Sequence, residues 1–312
     1  MPMRKIIFSL LFLINAFLVI SQNPDSLRHY YRQAEVDLRR TEWNLVNSKV
    51  EGERFEANKE FLKQWADILA KPSSMDYPFD SIKGVSKLRS KDKKFRIITW
   101  NIYKNDGTYA YFGFIQVNSV KVEKKGWFKK EITNEYEVFP LSDKSGSVKS
   151  PETYISDNTK WFGMLYNAVI DCDGYYTLIG WDGNDKLTAR KFIDILYFKA
   201  DGTPVFGKDV FKIPRKSPKR IMFEFSSEVN MSVKYNEHDQ QIVVSHLSPK
   251  DGSSFLEGQY QYYGPDGSFD AYEQHKGRWV VREDIDARNP KSKNDNIRKP
   301  DPNKEKSIFK PK

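Results

Sequence analysis

The sequence predicts a mainly β fold: an antiparallel meander closing into a sandwich or barrel. A segment of two helices precedes it, and a disordered tail follows. Three observations carry this expectation. Apolar residues alternate with a period of two from Phe95 to Asp284. Asp-Gly turns recur at Asp106, Asp173, Asp182, Asp201, Asp251 and Asp266. Before that region, from Asn23 to Lys71, the spacing is helical.

The chain opens as an export signal does. Arg4 and Lys5 precede an apolar run, residues 6–20, broken only by Ser9 and Asn15, and Ser21-Gln22 lead into polar sequence. A spanning helix needs about 20 apolar residues, so a signal peptide over residues 1–22, cleaved between Ser21 and Asn23, is the expectation. No second run could span a bilayer. Residues 23–72 form the helical segment. Asn23 is placed to cap and Pro24 to open the first helix. Leu27, Tyr30, Tyr31, Ala34, Leu38 and Leu45 form one stripe, and Phe55, Leu62, Trp65 and Leu69 a second. Gly52 is the expected break and Pro72 the stop.

The β domain occupies residues 73–289. Strands are expected at 95–102, 108–117, 131–139, 161–171, 175–181, 190–198 and 205–211, then at 220–225, 231–235, 241–246, 258–263, 268–272 and 278–282. Asn105-Asp106-Gly107 is a hairpin turn, and residues 142–150 are a polar surface loop. Several strands are apolar on both faces, which marks them as interior. Two charges sit inside such strands, Arg96 and Asp194. A buried charge has to be paired. A structural ion pair is expected for each, and the two are candidates for each other.

The formal net charge is +9, but it is not spread evenly. The leader carries two basic residues and no acid. Residues 287–312 carry nine basic residues against three acidic ones. What remains is nearly neutral, so the fold has no basic surplus to suggest nucleic acid. Residues 290–312 hold too little apolar sequence to order themselves and read as a disordered basic tail. The one cysteine, Cys172, cannot form an intramolecular disulfide. Its neighbours Asp171 and Asp173 disfavour the thiolate, so an unreactive thiol is expected.

Chemical motifs are sparse. Gly202-Thr203-Pro204-Val205-Phe206-Gly207-Lys208 mimics a phosphate loop, but Asp209 stands where Ser or Thr should hold magnesium. His29, His238, His246 and His275 are not at ligand spacing, so no zinc site is expected. Asp171 and Asp173, and Asp182, Asn184 and Asp185, are explained by turns and lack calcium-loop spacing. No cofactor is implied. The best place for a ligand is Trp181 beside the polar turn of Asp182, Asn184 and Asp185. Trp181 is read either as a platform there or as a plug for the sheet end.

Tyr77-Pro78-Phe79-Asp80-Ser81, Lys94-Phe95-Arg96-Ile97, and Leu178-Ile179-Gly180-Trp181-Asp182-Gly183-Asn184 carry a resemblance. Gly264-Pro265-Asp266-Gly267, Asp284-Ile285-Asp286-Ala287-Arg288-Asn289 and the leader's Ser-Gln end add to it. Together they resemble a family of exported β-rich proteins of Bacteroidota. The resemblance implies location, periplasm or extracellular, and no mechanism. The expected function is non-enzymatic binding or envelope association, with a glycan or an anionic envelope polymer as partner. The alternative is a carboxylate-dependent hydrolase acting on glycans, using a pair from Asp182, Asp194 and Asp270.

Overall fold

The computed structural model describes residues 24–125 and 129–286. The expected signal peptide (1–22), the Asn23 cap and the expected tail (290–312) lie outside the described residues. Among those described, no helix is long and apolar enough to cross a membrane.

Two helices lead, α1 (Pro24–Asn47) and α2 (Glu51–Leu69). Tyr31 of α1 bonds the Pro72 carbonyl just after α2, so the pair is antiparallel. The break falls at Ser48–Val50, not at Gly52. The Ser48 hydroxyl accepts from the Val50 N–H at 3.3 Å and bonds Glu53, which turns the chain. Gly52 then lies in the first turn of α2, where a backbone N–H lacks a helical partner anyway.

The strands follow as β1 (Ser86–Arg89), β2 (Phe95–Tyr103), β3 (Tyr109–Lys125), β4 (Lys129–Ser142), β5 (Ser156–Asp157), β6 (Leu165–Cys172), β7 (Tyr175–Asp182) and β8 (Thr188–Phe198). Then come β9 (Pro204–Phe206), β10 (Phe211–Lys212), β11 (Ile221–Ser226), β12 (Val233–Asn236), β13 (Gln241–Pro249), β14 (Tyr263–His275) and β15 (Arg278–Arg282). They make three open sheets. The first runs β1-β2-β3-β4, the second β5-β9-β8-β7-β6 with β11 also on β8, and the third β10-β15-β14-β13-β12. The fold is sandwich-like. All strand pairs are antiparallel except β10 with β15, which is parallel.

The layers stack in chain order because the strands are apolar on both faces. Ile98, Trp100 and Ile102 of β2 pack with Leu38, Phe61 and Trp65 of the helices. The alternate residues Phe95 and Ile97 turn the other way, onto Tyr166, Tyr176, Leu178, Phe192 and Leu196 of the second sheet. The far face of that sheet, with Tyr175, Ile179, Ile193 and Ile195, meets Ile242, Val244, Tyr272 and Trp279 of the third. Indole N–H groups tie adjacent layers: Trp100 Nε1 donates to Asn58 Oδ1 at 2.7 Å, and Trp279 Nε1 to Thr177 Oγ1 at 2.8 Å.

Some expected strands are redrawn. The stretch 205–211 splits at Gly207, whose φ of +84° and close approach to the Tyr154 carbonyl leave no room for a Cβ. There the chain leaves the second sheet for the third. Residues 258–263 form a left-handed turn at Gly258 and a short 3-10 turn, Tyr260–Tyr262, because no sheet face covers their tyrosines. The Asp266-Gly267 turn is instead a bulge within β14, opposite His246. The strand at 161–171 starts only at Leu165, and the short β1 and β5 carry too few residues to show a period.

Arg96 and Asp194 are both buried but do not pair. Arg96 shares its face with Ile98, toward the helices; Asp194 shares its face with Phe192, toward the first sheet's opposite side. The first sheet therefore separates them. Asp194 Oδ1 accepts from Arg220 Nε at 2.8 Å, both side chains fully buried. Its Oδ2 accepts from Tyr166 Oη at 3.0 Å, and Tyr166 accepts from Trp161 Nε1 at 3.1 Å. Arg96 makes no salt bridge among the described residues. It donates at 2.9 Å to the carbonyls of Tyr77 and Ser74 and to Gln116 Oε1, so it staples the 74–79 segment to the sheet. Burial lowers its pKa to about 10.

Candidate functional site

A polar cleft of about 620 Å³ opens where the β2–β3 hairpin, the end of β4 and the β7–β8 turn meet. Two glycines allow these elements to touch. A Cβ at Gly107 would strike the Lys186 side chain, and one at Gly183 would lie 2.1 Å from the Tyr109 ring. The Tyr109 ring thus rests on the backbone of the turn.

Tyr111 organises the floor. Its amide donates to Asp143 Oδ2 at 3.1 Å, and its hydroxyl donates to Asp182 Oδ1 at 2.8 Å while accepting from the Gly183 N–H at 2.8 Å. Burial pushes the Tyr111 hydroxyl far above its usual range, with the Asp182 charge adding to it. Asp182 also accepts from the Asn184 N–H at 2.8 Å, and Arg190 stands 3.8 Å away. Its pKa is raised, because burial outweighs those bonds and the Arg190 charge. Arg190 is bound through Nε to Glu224 at 2.9 Å. Glu224 accepts from Thr188 Oγ1 at 2.9 Å, which in turn accepts from Asn184 Nδ2 at 2.6 Å. Asp143 accepts from the amides of Ser145 at 2.8 Å and Gly163 at 3.1 Å.

Beside this polar floor runs a row of rings. Tyr103, half exposed, lies 5.2 Å from Tyr109, and Tyr109 lies 5.4 Å edge-on from Trp181. Burial raises the Tyr109 hydroxyl's pKa. Of the residues singled out from sequence, Asp182 and Asn184 line the cleft. Trp181 stands behind Tyr109 as its support. Asp185 is occupied by the turn, accepting from the amides of Leu187 and Thr188. Tyr109, Tyr111 and Asp143 escaped the sequence reading because distant segments supply them; Arg190, opposite Asp182 across the β7–β8 hairpin, escaped it because no local motif marks it.

The three hydrolase candidates do not converge. Leu178 lies opposite Asp194, and Asp182 is four residues further along β7 on the same face. At about 3.3 Å per residue that places the two carboxylates about 13 Å apart, beyond the spans of about 5–9.5 Å that glycosidases use. Asp270 sits in the third sheet, bound to His246 Nδ1 at 2.8 Å. Among the described residues, no group of three or more His, Cys, Asp or Glu is placed to hold a metal ion.

Other concavities are less organised. The larger one between the second and third sheets, about 860 Å³, includes Lys191, already bonded to the Met231 carbonyl and Asn230. The polar-aromatic cleft is therefore the site with converging groups, on a three-sheet sandwich fronted by a helix pair. No family model, curated protein or solved structure matches this chain.

Proposed function

We propose that this chain is an exported, envelope-associated binding protein whose cleft holds a glycan. The observation that carries the reading is the Tyr109 ring in the cleft with Asn184 and Arg190, extended outward by Tyr103 at 5.2 Å and backed by Trp181. A sugar ring offers an apolar C–H face for an aromatic plane, and hydroxyls that donate to the Asn184 amide oxygen and accept from the Arg190 N–H groups not spent on Glu224. The carboxylates of the floor already accept bonds from the protein, so they serve to hold the turn and hairpin in place. This suits binding, which needs a rigid platform. Export is read from Arg4, Lys5 and the apolar run of residues 6–20.

The test is a glycan panel read by thermal shift, followed by titration of the strongest hit. Tyr103→Ala removes an exposed ring and leaves the fold intact; it weakens binding about ten-fold, a change of about 1.4 kcal/mol. A panel with no shift, or a Tyr103→Ala variant that binds as the parent does, overturns the reading.

A further inference from the structure

We propose that the outer face of α1 is a docking surface for an anionic phospholipid bilayer. Arg28, Arg32, Val36, Arg39, Trp43 and Val46 recur at spacings of three and four, so they form one ridge along the helix. All six are exposed, with Val36 at 49%, Trp43 at 67% and Val46 at 59%. Val50, 55% exposed, extends the ridge past the helix end. At 1.5 Å per residue the ridge is about 27 Å long. The opposite face, with Tyr31, Leu38 and Leu45, is the one buried in the core.

Of the four acids on this helix, Asp25 is exposed one turn before Arg28 and opposes that end of the ridge, and the other three are turned to partners away from Arg32 and Arg39. Glu35 accepts from the Ser81 amide and the Tyr77 hydroxyl, each at 2.7 Å, and Glu42 from the Gly84 amide at 2.6 Å. Both acids point toward their own domain. Asp37 pairs with Arg40, at 3.2 Å. Arg28, Arg32 and Arg39 make no salt bridge among the described residues.

A protein partner covering this ridge would have to bury three guanidinium groups, each needing its own counter-charge. A bilayer face meets the same pattern without that demand. Phosphates take the guanidinium forks, Trp43 sits at headgroup depth, and the valines reach only the outer acyl boundary, as in helices that lie in the interface plane. The apolar run of residues 6–20 ends shortly before Pro24, so on the export reading α1 is delivered at a membrane face.

The test uses the protein as its host exports it, with the C-terminal residues retained, sedimented with vesicles. One set is phosphatidylcholine with one-third phosphatidylglycerol; the other is phosphatidylcholine alone. The parent sediments with the anionic set only, and releases when salt rises from 0.1 M to 1 M, which shortens the screening length from about 10 Å to about 3 Å. Each basic residue near such a surface is worth about five-fold in partitioning. Arg32→Glu with Arg39→Glu therefore weakens binding by about 25-fold or more, and Trp43→Ser weakens it several-fold, with melting temperatures unchanged. Lys291→Glu with Lys293→Glu tests the basic C-terminal residues and leaves most binding in place. The proposal is overturned if the parent ignores anionic vesicles, if it binds both sets alike, or if the ridge variants bind like the parent.

Discussion

Removing Asp194 strips the counter-charge from Arg220, deep between the first two sheets. Both side chains are fully buried, and Arg220 spends its other contacts on the Pro151 carbonyl at 3.1 Å and on the rings of Tyr154 and Phe162. None of these can neutralise a cation. Breaking a buried pair from one side costs about 3–5 kcal/mol. For a protein of this size each kcal/mol moves the midpoint by about 2–4 °C, so Asp194→Ala lowers it by about 6–20 °C. Tyr166 Oη and Trp161 Nε1 lose the end of their chain as well, which places the outcome toward the upper end. Asp194→Leu with Arg220→Met removes both charges and fills the space with apolar groups. It recovers at least half of the loss, since a buried pair is often replaceable as a unit. Calorimetry of the parent, both single variants and the double variant closes the cycle. A single-variant drop under about 3 °C, or a double variant as unstable as the sum of its parts, would falsify the assignment of this pair as a buried brace between β8 and the start of β11.

Three further outcomes follow from the geometry. Gly183→Ala drives a methyl into the Tyr109 ring and costs about 1–3 kcal/mol as overpacking; a variant that melts and binds like the parent contradicts the contact. His246 gains a raised pKa from its bond to Asp270, so its stabilisation is complete below the unfolded value near 6.5 and is lost as pH rises through the folded value. Because His246 is 46% exposed, screening holds the effect to a few tenths of a kcal/mol, and His246→Gln should abolish that fall in a melting series from pH 5 to 9. Cys172 is partly buried and has its thiol pKa raised, chiefly by burial, so alkylation at pH 8 is slower in the native protein than in the unfolded chain; equal rates would contradict this.

Much of the architecture was legible in the sequence. Strands apolar on both faces, such as 95–102 and 190–198, pointed to interior sheets, and Asn105-Asp106-Gly107 gave the hairpin. What the period could not supply was long-range partnership. The alternation around Arg96 and Asp194 showed that both were buried, but which side of which sheet each faced depended on stacking order. Arg220, the first residue of the expected strand 220–225 and one residue before β11, carries no sequence mark of its buried partner. Serine chemistry at Ser48 overrode the helix-breaking tendency of Gly52. At the cleft, Asp182 and Asn184 were visible because Asp and Asn mark turns. Tyr109 and Asp143 were not, since packing of the first sheet on the second brings them there, and Arg190 was not, since only the register of the β7–β8 hairpin sets it opposite Asp182.

The most direct measurement of the central claim is amide hydrogen exchange with and without the panel glycan that shifts melting most. Ligand contact slows local opening where it binds. The cleft reading places new protection on residues 103–111 and 182–190, with little change in the third sheet. Protection centred instead on residues 230–235, or no glycan-dependent protection at all, would contradict it.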